Sequence, residues 1–123
     1  MPVIRPQDAV VHEIHGSRFA SYVAPSRGSR EVCAWQLTVP PEQPGVPHRP
    51  NREEVLLVLS GKLDVTLDSA RTRMEPGDVA FVPAGSELIV EAGPGGATAW
   101  VMTTPGLEAV TADGDRIRPP WAN

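Results

Sequence analysis

The sequence predicts an all-β domain, a double-stranded β-helix or jelly-roll barrel with little helix, and three observations carry that prediction. Eleven glycines and fourteen prolines punctuate the 123 residues, falling between short β-rich runs instead of forming one low-complexity block. Within those runs apolar and polar residues alternate with the period of two expected of a half-buried strand. No stretch of ten or more residues holds a 3.6-residue period free of glycine or proline, and the nearest approach to a helix lies at residues 7–14.

Eight runs read as strands in chain order: 18–23, 31–39, 54–59, 62–67, 71–74, 79–82, 87–91 and 98–103. Pro25 closes the first run, and in the second Cys33, Trp35, Leu37 and Val39 share one apolar face. In the third, Glu54, Leu56 and Val58 point one way and Val55 and Leu57 the other; in the fourth, Leu63, Val65 and Leu67 oppose Asp64, Thr66 and Asp68. Ser60-Gly61 predicts a hairpin between these two runs, with glycine free to take positive φ. Glu75-Pro76-Gly77-Asp78 predicts a type II turn, in which proline fixes the first central φ and glycine accepts the second. Gly93-Pro94-Gly95-Gly96 separates the last two runs. The tail at 116–121 is too rich in proline for a helix or an inner strand, so Trp121 is expected to anchor it on the barrel wall or on a neighbouring subunit.

The length is that of one domain, read as an N-terminal segment (1–28) with a strand at a dimer interface, a barrel (29–104) and a C-terminal tail (105–123) packed on it. Scattered basic residues and a formal charge of −4 give no cationic stripe, so no nucleic-acid partner is expected. No apolar run approaches a membrane span and Met1-Pro2-Val3-Ile4-Arg5-Pro6 lacks the apolar core of a secretory signal, so no membrane partner and a cytoplasmic location are expected. The single cysteine, Cys33, excludes an intrachain disulfide and, in an apolar run, reads as a buried inert thiol.

Two spacings stand out: His48, Glu54 and Gly61, then Gly77, Pro83 and Gly85. They resemble the two signature motifs of the cupin superfamily, Gly-x5-His-x-His-x3-4-Glu-x6-Gly and Gly-x5-Pro-x-Gly-x2-His-x3-Asn. This chain departs from them at Glu42, Pro50, Leu88 and Ala92, which stand at positions of the first glycine, the second histidine, the third histidine and the asparagine. The resemblance implies a small single-domain barrel of the bacterial kind that pairs as a homodimer. In metal-holding members three histidines and a glutamate meet inside the barrel and a divalent transition metal activates substrate or dioxygen. Here only His48 and Glu54 remain, since Pro50 and Leu88 offer no donor atom. The expected state therefore has no tightly held cofactor, with a divalent transition metal on His48 and Glu54 as the alternative.

His48 and Glu54 are the candidate acid–base pair, because a carboxylate and apolar walls tune an imidazole in opposite directions. Trp35, Arg52, Leu88, Trp100 and Met102 join them as the candidate lining of a ligand site: two indoles for a flat ring, an apolar Leu and Met, and a guanidinium of the same strand parity as Glu54. His12 and His15 lie outside both motifs and read as ordinary surface or partly buried residues. The expected function is binding of a small organic molecule in an apolar lumen; the alternatives are a metal-independent isomerase, dehydratase or cyclase in which Glu54 orients His48, and a metal-dependent oxygenase.

Overall fold

Two consecutive residues of positive φ, His15 (51°) and Gly16 (80°), close a two-residue turn whose twist suits a hairpin. The turn joins β1 (Val10–Ile14) to β2 (Ser17–Val23) in the computed structural model, which describes residues 3–123. The remaining strands are β3 (Cys33–Val39), β4 (His48–Pro50), β5 (Glu54–Leu67), β6 (Ala70–Met74), β7 (Val79–Val82), β8 (Leu88–Thr103), β9 (Ala109–Thr111) and β10 (Arg116–Ile117). Among the described residues helix is confined to single 3-10 turns at Pro6–Asp8, Pro25–Arg27 and Pro120–Ala122, so the fold is all-β as the sequence predicts. Residues 7–14, the nearest approach to a helix in the sequence, form part of the first of these turns and β1. Residues 1 and 2 of the N-terminal segment lie outside the described residues. Among the described residues no helix is long and apolar enough to cross a membrane.

The strands join in one curled sheet, ordered β1-β2-β3-β8-β4-β9-β10, with β5 pairing β6, β7 and β8. The two long strands correct the sequence reading at its turns. Residues 54–59 and 62–67 are one strand, and so are 87–91 and 98–103 apart from Glu87. Ser60-Gly61 is not a hairpin: Leu59 is an extra residue opposite Ala99 and Thr98, and four residues of β8, 93–96, face the single Lys62. Bulges of this kind bend a strand from one layer to the next. Gly61 does take positive φ (72°), and a Cβ there would collide with the Gly96 carbonyl oxygen, so glycine is required by close approach. The turn at Glu75–Asp78 closes as the sequence predicts, with Asp78 N–H donating to the Glu75 carbonyl at 2.9 Å and Gly77 at φ 93°.

Each irregularity inverts which parity faces inward. On β5 the inward residues are Glu54, Leu56 and Val58 before the bend and Leu63 and Val65 after it. On β8 Leu88 is inward at the start, and Ala97, Ala99, Val101 and Thr103 at the end. With Trp35, Leu37 and Val39 of β3 these side chains form the core, each large one contributing about 1.5–3 kcal/mol by leaving water. The tail closes one side: Trp121 stacks on Phe19 (centroids 3.7 Å apart, 12° between planes), and Ser21 Oγ donates to the Trp121 carbonyl at 2.7 Å. On the outer face Asp64 is covered by its cross-strand neighbour Arg73 and by Arg71, whose guanidinium nitrogens lie 2.7–2.9 Å from its carboxyl oxygens. These hydrogen bonds, that of Arg73 first, hold the Asp64 carboxyl well below the usual carboxylate range.

Candidate functional site

Inside the barrel lies a cavity of about 180 Å³, walled by apolar side chains of β3, β5, β8 and the tail, among them Trp35, Leu56, Leu88, Val101, Leu107 and Trp121. Its mouth is marked by exposed His15 at the first hairpin and by the loop at 43–46. That loop is clipped to β8 where Gly45 N–H donates to Glu91 Oε2 at 3.2 Å, and a Cβ on Gly45 would press on Ile89 at 2.5 Å.

His48 and Glu54 both line this cavity, reached from different strands, β4 and β5. His48 sits in β4 between Leu88 of β8 and Thr111 of β9, its partners in register. Its Nδ1 lies 2.9 Å from the Val46 carbonyl oxygen, which can only accept, so the neutral ring carries its hydrogen on Nδ1 and leaves Nε2 as an acceptor. Burial lowers the His48 pKa; the bond to Val46 opposes this, and the nearby His15 adds to it. Glu54 opens β5 opposite Val82, is 6% exposed, and burial alone raises its carboxyl to about 7. Near neutral pH the cavity therefore holds a neutral imidazole and a carboxyl that keeps its proton far more readily than an ordinary glutamate. Trp35 Nε1 and Thr111 Oγ1 are buried without a protein partner among the described residues, and both side chains line the same space. Buried Cys33 is not among them: its thiol lies 3.4 Å from the Ala122 carbonyl, and burial pushes its pKa up, away from thiolate.

Residues 35–103 match the family model described as the cupin domain. The chain belongs to the cupin family. Solved cupin-like folds superpose closely. Polyketide cyclase RemF from Streptomyces resistomycificus aligns with a TM-score of 0.75 and 19% identity, over 87% of this chain and 83% of that one. KdgF from Halomonas sp. aligns with a TM-score of 0.74 and 15% identity, over 85% and 94%. Among curated proteins, one named endoribonuclease YbeY from Myxococcus xanthus is 26% identical over 106 residues, which is 85% of this chain. The chain spans only 36% of that relative's length.

The four-donor set of metal-holding cupins does not fit this cavity. Pro50 is buried in β4 against Ala109, Leu88 fills its position with a 2%-exposed hydrocarbon, and among the described residues no three His, Cys, Asp or Glu side chains are grouped to hold an ion.

Of the seven residues expected to line the ligand site, Trp35, His48, Glu54 and Leu88 do so. Trp100 and Met102 do not. The bulge at 93–96 puts them on the parity opposite Val101, so Trp100 packs edge-on against Tyr22 (5.1 Å) and Met102 is 41% exposed. Arg52 falls in the bend between β4 and β5, where it leaves the strand parity, is exposed, and its Nε donates to the Pro105 carbonyl at 3.3 Å. Sequence reasoning missed His15, Thr111 and the tail residues Ile117 and Pro119, all in the lining. Only the His15-Gly16 pair carried a local signal, that of a two-residue turn; β9 and β10 are too short to show alternation.

Proposed function

We propose that this cupin binds a small organic molecule in its lumen without a tightly held metal. The apolar cavity with His48, Glu54 and few other polar side chains in its wall carries this reading, since small-molecule sites are apolar spaces with few, placed polar groups. Thr111→Trp, which fills the cavity from a short peripheral strand, is the control for a fragment screen by saturation-transfer NMR. Fragments that bind the native protein and not this variant are the expected result; a screen without a single such fragment refutes the reading.

A second reading is favoured by the state of the two protic groups. A carboxyl near 7 and an imidazole lowered by burial in the wall of one cavity are matched to proton transfer at neutral pH, as an isomerase, dehydratase or cyclase requires. Once a substrate is found, His48→Ala should abolish turnover while leaving the fold intact, and retained turnover rejects the catalytic role.

Pairing as a homodimer is the third element of the proposal. Two uncharged rows cross the outer face, Phe81-Val55-Met102-Ala34 and Val79-Leu57-Trp100-Gln36-Ala20-Val11, the second reaching β1 in the N-terminal segment. Phe81 and Val79 are 54% and 59% exposed at the end of the sheet, an apolar edge that a second copy would cover.

A further inference from the structure

The polar atoms of the lumen also select among ligands, an inference that rests on the binding reading above. We propose that the cavity is a site for a neutral, hydroxyl-bearing molecule about one ring in size, and that it excludes carboxylates, phosphates and ammonium ions of the same size.

Size follows from volume. At about 180 Å³ the cavity lies below the usual range of drug-sized pockets, roughly 300–1,000 Å³, and near the roughly 150 Å³ at which an apolar cavity admits benzene. The hydroxyl follows from the fixed tautomer. With Nδ1 donating to Val46, His48 Nε2 presents a lone pair, and its partner must bring a hydrogen. Trp35 Nε1–H can only donate, and Thr111 Oγ1 can do either, so a ligand hydroxyl, which carries both a hydrogen and lone pairs, can pair with any of these groups. Both protein groups are buried, and a buried polar group without a partner is costly enough that a ligand supplying one is favoured.

Anions meet neither lysine nor arginine among the residues lining the cavity, and Arg52, the one guanidinium expected there, is turned outward. Ammonium ions fare no better. Phe19 and Trp121 lie face to face, and Trp35 meets Trp121 at 64°, so two of the aromatic faces that would box a cation are covered by each other. The only candidate counter-charge, Glu54, is held mostly neutral below pH 7 by its surroundings.

The test compares phenol, benzoate and benzylamine, three probes of one ring, by isothermal titration at pH 6 against the native protein, His48→Ala and Trp35→Phe. Phenol is expected to bind, benzoate and benzylamine about tenfold or more weakly, and phenol to lose about tenfold in affinity in His48→Ala. Trp35→Phe keeps the ring and removes only the N–H, so a phenol affinity reduced there by a similar factor assigns the donor. Benzoate or benzylamine binding as tightly as phenol overturns the proposed class while leaving a small-molecule site in place. Phenol binding that is unchanged in both variants overturns it as well. Silence of all three probes overturns the class if the fragment screen yields ligands blocked by Thr111→Trp, and overturns the binding reading too if it yields none.

Discussion

Replacing Glu54 by glutamine tests the central electrostatic feature of the cavity. Burial alone lifts this carboxyl from an ordinary 4.5 to about 7, so the folded state holds the proton more tightly than the unfolded chain does. A group whose folded pKa is raised contributes its full stability below the unfolded value and loses it as pH climbs through the folded value. The native protein should therefore weaken between about pH 4.5 and 7, by roughly 3 kcal/mol at 1.36 kcal/mol per pH unit. Glutamine keeps the shape and removes the titration. The assay is urea unfolding of both proteins from pH 4.5 to 8.5. The difference in stability, Glu54→Gln minus native, should grow with pH through this window and level off above it. His48 pulls the other way, because its lowered pKa favours folding at higher pH, but it is present in both proteins and cancels to first order in the difference. A difference that stays flat from pH 4.5 to 8.5 would show that Glu54 ionises freely in the folded barrel and would remove the basis for its role as a neutral acid.

Four further outcomes are expected. Gly61→Ala, placing a Cβ against the Gly96 carbonyl at positive φ, should destabilise the barrel by about 3 kcal/mol or more in urea unfolding. Asp64→Asn should lower the unfolding midpoint at pH 7 and flatten the loss of stability below about pH 4, because the native carboxylate favours folding only while it is ionised and paired with Arg71 and Arg73. Elemental analysis of tag-free protein purified without chelator should find well under one equivalent of any transition metal; a near-stoichiometric metal that disappears in both His48→Ala and Glu54→Ala would revive the oxygenase reading. Phe81→Glu should convert a dimer into a monomer in sedimentation velocity, and a native protein that sediments as a single chain at all concentrations would refute the dimer.

Much of the barrel was legible in the chain because strand parity is local information. Glu54, Leu56 and Val58 face inward and Val55 outward, and Cys33, Trp35, Leu37 and Val39 share the core face, as alternation alone indicates. The motif positions found His48, Glu54 and Leu88, and the turn at Gly77 was visible because glycine at positive φ leaves a mark in sequence, whereas the same mark at Gly61 was read as a hairpin and belongs to a bulged strand. What alternation cannot show is where it resets. Trp100 and Met102 were assigned to the lumen because nothing at 93–96 announces that β8 continues with three extra residues and opposite facing. Thr111 and Ile117 were missed because strands of three and two residues are defined by the strands they pair with, through His48 and Ala109, and not by a pattern of their own.

The bulge at Leu59 makes the barrel sensitive to arithmetic as well as to chemistry. A substitution there alters one half-exposed side chain, whereas removing the residue would put Glu54, Leu56, Val58, Leu63 and Val65 on one parity of a regular strand and cost the barrel the bend that the extra residue introduces. Length changes elsewhere in this strand behave like shifts of a reading frame: odd ones scramble everything on one side of the break, and even ones restore the sense of the rest. Lineages of such a barrel should accumulate residue swaps freely in these strands while confining their gains and losses of single residues to the connections, where no side chain has an inside to lose.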